Sequence, residues 1–313
     1  MSNRIIIEEP SRIQLGLCCI NTVLRKEGIF CSRSLIRNTF TVEKAKKLAL
    51  QNLDDAITMM KWNHENGIHV FRLSSDIFPH FTDSETEPYS MEFAKSKLAE
   101  VGQAAVRYNQ RLTMHPGQFN QIGAVSRDVF EKTVADLSMH ADILDGMNTD
   151  PRSSILCIHG GGLYGDKEQT IERWVRQFDE LPTKVKRRIA IENCEKCYST
   201  HDCLCLAERC GIPMILDSHH EVCYRMLHPS QIVPEIEDLI PQIVETWKST
   251  PLFHISEQRP DARIGAHSDF IETIPSYMLN LPDEHNSNVD IEVEAKQKEQ
   301  AIQRLYKKYP QIY

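Results

Sequence analysis

The chain has no run of roughly 18 consecutive apolar residues, the least that a membrane-spanning helix needs, so no membrane partner is expected. Its start, Met1-Ser-Asn-Arg-Ile-Ile-Ile-Glu-Glu, lacks the long apolar segment and small-residue cleavage site of an export signal. The expected location is the cytoplasm, in association with the nucleoid, or the nucleus in a eukaryote, and not the exterior. Positive charge is also short: 36 Lys and Arg stand against 44 Asp and Glu, a formal charge of −8. That balance argues against a broadly basic nucleic-acid binder. It leaves room for a phosphate site built on cations, because bound divalent ions reverse the field around acidic ligands. Linkers rich in Pro, Gly or Ser and low-complexity tracts are missing too. Residues 1–313 therefore read as one domain, long enough for a barrel of about 250 residues plus insertions.

Cysteine is not scarce. Ten cysteines in a chain without an export signal read as reduced thiols, not as a disulfide framework. Cys194-Glu-Lys-Cys197, followed by Cys203, Cys205 and Cys210, has some zinc-site character, although its second spacing is irregular.

What recurs along the chain is a short apolar run that ends on His, Asp or Glu. Pro213-Met-Ile-Leu runs into Asp217-Ser-His-His220-Glu221, and on that stretch alone Asp217 could equally be a helix cap beside ordinary histidines. The same phrase returns elsewhere. Arg111-Leu-Thr-Met leads to His115, Ser154 to Ile158 leads to His159, Arg188-Ile-Ala-Ile leads to Glu192, Pro251-Leu-Phe leads to His254, and Asn288 to Val293 leads to Glu294. With Ile13–Ile20, closed by Asn21, and Ile68–Leu73, closed by Ser74, there are eight strand candidates. Helical spacing separates most of them: Thr41 to Gly67, Ser90 to Asn109, Ser126 to Asp145, Asp166 to Leu181, a short helix around Cys203–Arg209, Glu235 to Lys248 with a kink or a restart expected at Pro241, and a last helix to Lys308. This alternation predicts a single-domain (β/α)8 TIM barrel. The stretch from 22 to 40, with Arg25, Lys26, Arg33 and Arg37, reads as a long solvated insertion.

In such a barrel the carboxyl ends of the strands converge on one face. A ring of imidazoles and carboxylates there is costly to bury unless cations hold it, so a metal cluster is the simpler explanation. Two or three divalent ions with mixed ligands suit phosphodiester hydrolysis, since they lower the pKa of water to about 7 and neutralise a leaving oxygen. Sugar isomerisation on the same scaffold is equally compatible with the spacing.

The chain resembles the ultraviolet damage endonuclease family, relatives of endonuclease IV among the xylose-isomerase-like barrels. The resemblance runs from about Ile13 to Gln300 on Arg-Leu-Thr-Met-His115-Pro-Gly-Gln118-Phe119, Ile-Glu192-Asn, Leu-Asp217-Ser-His-His220, His254-Ile-Ser, Ala-His267-Ser-Asp269 and Glu294-Ala-Lys-x-Lys-Glu299. It implies a metal-dependent hydrolase that nicks UV-damaged double-stranded DNA 5′ to cyclobutane dimers and 6-4 photoproducts, with some action at abasic sites, acting as a monomer. It implies metal ligands at His115, His159, Glu192, Asp217, His220, His254, His267 and Glu294, with Glu192, Asp217, His254 and Glu294 as the catalytic set. The ions it implies are manganese first, with zinc, magnesium or cobalt as alternatives. Asn21 matches an asparagine near the scissile bond, and Gln118 with Phe119 matches a pair that probes the damaged duplex. Arg25, Arg72, Arg259, Arg263 and Lys296 are phosphate-contact candidates near strand ends. Three departures stand out: Phe119 in place of a Tyr, Leu17 in place of a second Tyr, and Leu252 in place of a Lys near the metals.

Overall fold

The computed structural model describes residues 11–313. Eight parallel strands close into a barrel in chain order: β1 (Ile13–Cys18), β2 (Val70–Leu73), β3 (Arg111–Met114), β4 (Leu156–His159), β5 (Ile189–Glu192), β6 (Met214–Asp217), β7 (Leu252–Ile255) and β8 (Val289–Val293). Closure is made by β8 on β1, paired from Ile13↔Val289 to Leu17↔Val293. Among the described residues no helix is long and apolar enough to cross a membrane.

The expected helices form, each with a local reason. Thr41 caps Val42–Glu65 by accepting from the Lys44 N–H, Ser126 caps Arg127–Gly146, Asp166 caps Lys167–Asp179, and Ser199 with Asp202 forms a capping box on Thr200–Cys210. Gly67 lies just past the first of these at φ 71°, the left-handed stop that its position suggested. Four details differ from expectation. β1 ends at Cys18, because Cys19 turns to φ 63° and leaves the extended region. Pro241 sits inside a single helix, Ile236–Glu245, so the helix does not restart there. A further helix, Ser218–Leu227, starts directly on Asp217. The stretch 22–40 is no loose insertion: Phe30 donates its N–H to Asp55 at 2.9 Å, Arg33 pairs with Asp55 at 2.6 Å, and Asn52 brackets the Arg33 backbone.

Strand side chains alternate between the helix layer and the barrel interior, and the interior positions stack in three levels. Arg111 and Asp290 lie at the amino-terminal mouth. Above them Val70, Ile155, Cys157, Ala190, Ile215 and Leu252 make a small apolar plug, which Trp247 joins. Above the plug come charged residues. Gly16 is needed beside them, since a Cβ there would meet Val70 at 2.9 Å and Glu292 at 3.0 Å.

The lower mouth is tied by one guanidinium. Arg111 Nη1 reaches Asp290 Oδ2 at 2.6 Å and the Thr250 carbonyl at 2.8 Å, while its Nε donates to the Ser153 carbonyl at 2.8 Å. It thereby joins β3 and β8 to the approaches of β4 and β7. Removing one partner of a buried pair leaves the other charge uncompensated, at about 3–5 kcal/mol. Arg111→Met is expected to lower the unfolding free energy obtained from a urea titration by that amount. Arg127→Ala, which removes two exposed pairs, with Glu131 and Glu180, should cost less than about 1 kcal/mol in the same titration.

Candidate metal centre

The upper level of the interior is built from residues at the strand ends or the first residue beyond them, joined by His220 from the helix Ser218–Leu227 and His267 from the loop after β7. Glu192, ending β5, is fully buried and touches imidazoles from four directions. Its Oε2 lies 2.9 Å from His115 Nε2 and 3.6 Å from His159 Nε2. Its Oε1 lies 2.9 Å from His254 Nδ1 and 3.5 Å from His220 Nδ1. Glu294 Oε1 is 3.4 Å from His254 Nδ1, and Glu294 Oε2 is 3.7 Å from His267 Nδ1. Asp217 Oδ2 is 4.0 Å from His220 Nδ1. All eight residues expected as ligands therefore meet in one cluster. Ligand atoms of Glu192, Asp217, His254 and Glu294 lie within 4.8 Å of one another, as do those of His115, His159 and Glu192.

The donors suit divalent ions, being a mixture of carboxylate oxygen and imidazole nitrogen. One atom makes the case. Asp217 uses Oδ1 to cap Ser218–Leu227, accepting from the His219 and His220 N–H groups at 2.8 and 2.9 Å. Its Oδ2 is buried with no hydrogen-bond partner among the described residues. A buried anionic oxygen is left bare only at a cost that a cation removes. Cap and ligand are thus the same residue, one oxygen for each. The imidazoles are oriented from behind: the Asn193 carbonyl accepts from His220 Nδ1 at 3.0 Å, and the Asn193 side chain exchanges bonds with the Asp217 backbone at 2.8 and 3.0 Å.

Charge is balanced internally. Burial alone would raise Glu192, but the imidazoles of His254 and His159 and hydrogen bonds from His115 and His254 outweigh it and hold the carboxyl well below its ordinary value. Burial likewise pushes Glu294 up, and Arg72 and His254 overcome it. Burial pulls His220 down, yet Asp217, Glu192 and Glu294 hold it at about 9, while burial leaves His159 neutral, at about 4. His254 is raised well above its usual range because Glu192 and Glu292 outweigh its burial. Without metal, imidazolium protons do the neutralising.

A second tier escaped the reading of strand ends. Glu292, two residues before Glu294 and on the same inward face, lies 3.0 Å from His254 Nε2, off the line of a hydrogen bond, and accepts from Thr113. Arg72 is buried and bonds Glu294 at 2.6 Å, with Glu292 at 3.4 Å. It is a brace for the ligands, not the phosphate donor expected of it. Cys157 donates its S–H to Glu192 at 3.1 Å. The strand period of two was the signal available for these residues.

The remaining expectations divide. Asn21 caps the short helix Thr22–Lys26 through Oδ1, and its buried Nδ2 has no partner among the described residues. Gln118 and Phe119 sit exposed on the turn after β3, Phe119 at 64% exposure, with its ring laid over Gly117, where a Cβ would come within 2.4 Å of it. Arg25, on the short helix Thr22–Lys26, and Arg259, Arg263 and Lys296, on loops, are exposed at the same barrel end. Leu17 and Leu252 are buried in the core. Glu221 is not a ligand: it accepts from Thr200 and pairs with Arg225. His219 lies against Cys223 at 3.4 Å. Cys194 takes the N–H groups of Cys197 and Tyr198 at 3.2 and 3.3 Å, and among the described residues it gathers no third ligand, so the zinc reading of this cysteine group has no site.

Comparison with known proteins agrees with this geometry. The family model for UV-endonuclease UvdE matches residues 13–313. A protein of Acanthamoeba polyphaga mimivirus that carries a UV-damage endonuclease name is 37% identical over 306 residues, 95% of this chain and 91% of that one. The UV-damage endonuclease of Schizosaccharomyces pombe is also 37% identical, over 96% of this chain but 51% of its own, so the chain spans about half the length of that relative. The crystal structure of SacUVDE superposes with a TM-score of 0.82 at 27% identity, covering 96% of this chain and 99% of that one. With its barrel, its histidine–carboxylate cluster and nearly its whole described length accounted for, the chain belongs to the UV-endonuclease UvdE family.

Proposed function

We propose that this protein is a metal-dependent endonuclease that hydrolyses the DNA backbone on the 5′ side of UV photoproducts, cyclobutane pyrimidine dimers and 6-4 photoproducts, in duplex DNA. The observation that carries the reading is the juxtaposition of the Glu192-centred cluster with an exposed aromatic, Phe119, four residues past His115 on the same turn. Two or three divalent ions, manganese foremost, would supply Lewis-acid polarisation and charge neutralisation at the scissile phosphodiester. His115, His159, Glu192, Asp217, His220, His254, His267 and Glu294 would hold them.

The protein's own groups have separable tasks. Glu192 gathers the imidazoles, Arg72 fixes Glu294, and Asn193 fixes Asp217 and His220. Phe119 and Gln118 enter the duplex at the lesion. A photodimer stacks and pairs poorly, so turning it out of the helix costs less than extruding normal bases, and selectivity follows from that difference. Arg25, Arg259, Arg263 and Lys296 meet phosphates, which restores attraction to DNA despite the net negative charge.

The direct test uses an end-labelled duplex with one thymine dimer, beside undamaged and abasic duplexes. Metal-stripped protein should be inert, and added manganese should restore a nick immediately 5′ of the dimer with undamaged DNA intact. Cleavage of the abasic duplex alone would replace this reading with an abasic-site nuclease. Glu192→Gln should reduce nicking by more than the roughly 100-fold that loss of an outer partner costs, while damaged-duplex binding persists. Survival of nicking in that variant would remove Glu192 from the centre.

Metal binding should also expel protons, since His220, at about 9, and His254 are protonated in the metal-free protein at neutral pH. Raising the pH from 7 through about 9 removes the competition at His220, so apparent manganese affinity should climb over that window. Calorimetric titrations in buffers of different ionisation enthalpy would read the protons released. A pH-independent affinity would contradict the imidazolium picture.

A further inference from the structure

Lys298 holds a backbone conformation that lysine rarely adopts, φ 49° and ψ −120°. It corresponds to the first central residue of a type II′ turn, a position dominated by glycine because a side chain is crowded there. Strain of this kind survives only where the surroundings over-determine it, and it marks functional positions.

The surroundings do so here. The Lys298 N–H donates to the Ala295 carbonyl at 3.2 Å, and its own carbonyl accepts from Ala301 and Ile302 at 3.0 and 3.3 Å, opening the helix Glu299–Lys308. The next residue, Glu299, is fully buried and accepts the Thr22 and Val23 N–H groups at 2.7 and 3.1 Å. Gln300 Nε2 donates to Thr22 Oγ1 at 2.7 Å. Lys298 is therefore clamped where the loop from β8, four residues past Glu294, meets the loop from β1 at Asn21. Cys19, on the β1 side of this joint, is itself at φ 63°.

Nothing in the fold requires a lysine at this point. Among the described residues its ammonium makes neither an ion pair nor a hydrogen bond, and the residue is only half-buried. Glycine would fit the backbone with less crowding. The fold therefore holds a cation at the rim of an acidic site, in a conformation that costs stability, with no anion paired to it among the described residues.

We propose that Lys298 is a phosphate-binding residue of the site, its ammonium taking a backbone phosphate of the bound DNA strand between Asn21 and Glu294, with the strained turn aiming it. The inference rests on the nuclease reading of this face.

The test compares full-length, manganese-loaded wild type with Lys298→Gly and Lys298→Arg on the dimer-containing duplex. Lys298→Gly should unfold at or above the wild-type temperature, which separates its other effects from loss of fold. Its kcat/KM for nicking should nevertheless fall about tenfold or more, and the log–log salt dependence of damaged-duplex binding should weaken by about one ion. Lys298→Arg should keep that slope and most of the rate. A glycine variant that nicks at the wild-type rate with an unchanged salt slope overturns the assignment. Wild type that nicks no duplex overturns the nuclease reading instead, and the salt slope of binding alone then decides Lys298.

Discussion

One buried carboxylate sets the terms for the upper half of this molecule. Glu192 is sealed from solvent and meets His115, His159, His220 and His254 at 2.9 to 3.6 Å. In a low-dielectric interior such a group is tolerable only if opposite charge lies close on several sides. The supporting structure follows from that need. Gly16 clears space for Glu292, Arg72 compensates Glu292 and Glu294, and Asn193 pins the strand end that carries Asp217. Each belongs to a different strand or its first loop residue, so the cluster exists only while the barrel is closed.

The same arithmetic explains why the centre is ready for cations. Carboxylates outnumber fixed positive charges in the upper tier, where Arg72 stands against Glu192, Asp217, Glu292 and Glu294. The difference must be made up by imidazolium protons or by metal. Divalent ions would place more charge in fewer positions and would also occupy Asp217 Oδ2, which the protein leaves bare. Protons and metals are therefore alternative fillings of one frame.

The barrel separates stability from chemistry along its axis. Arg111 and Asp290 lock the amino-terminal mouth, the apolar plug insulates it, and the carboxyl-terminal mouth carries every group of the cluster. Reactive groups can thus be strained or under-partnered without loosening the lock below. Cys19 and Lys298, both with positive φ, lie at the chemical end.

Much of the site was legible because a strand end is a local event. An apolar run that stops on His115, His159, Glu192, Asp217, His254 or Glu294 can be read with no knowledge of its neighbours, and the helix caps at Thr41, Ser126 and Asp166 are equally local. The barrel and seven of the eight cluster residues were legible at that level, while His267 and the Phe119 turn were marked only by the family resemblance. What lies one level down was not, because it depends on which strands face each other. Arg72 and Glu294 are 222 positions apart, Thr113 and Glu292 are 179 apart, and only the closure of β8 on β1 and β2 on β3 brings them into contact. Tertiary structure alone decided that Arg72 is a buried brace, that residues 22–40 pack on Asn52 and Asp55, that the Cys194–Cys210 group gathers no metal site among the described residues, and that Asp217 divides its two oxygens between a helix cap and the centre. Each is a question of long-range register and burial, on which a sequence window is silent.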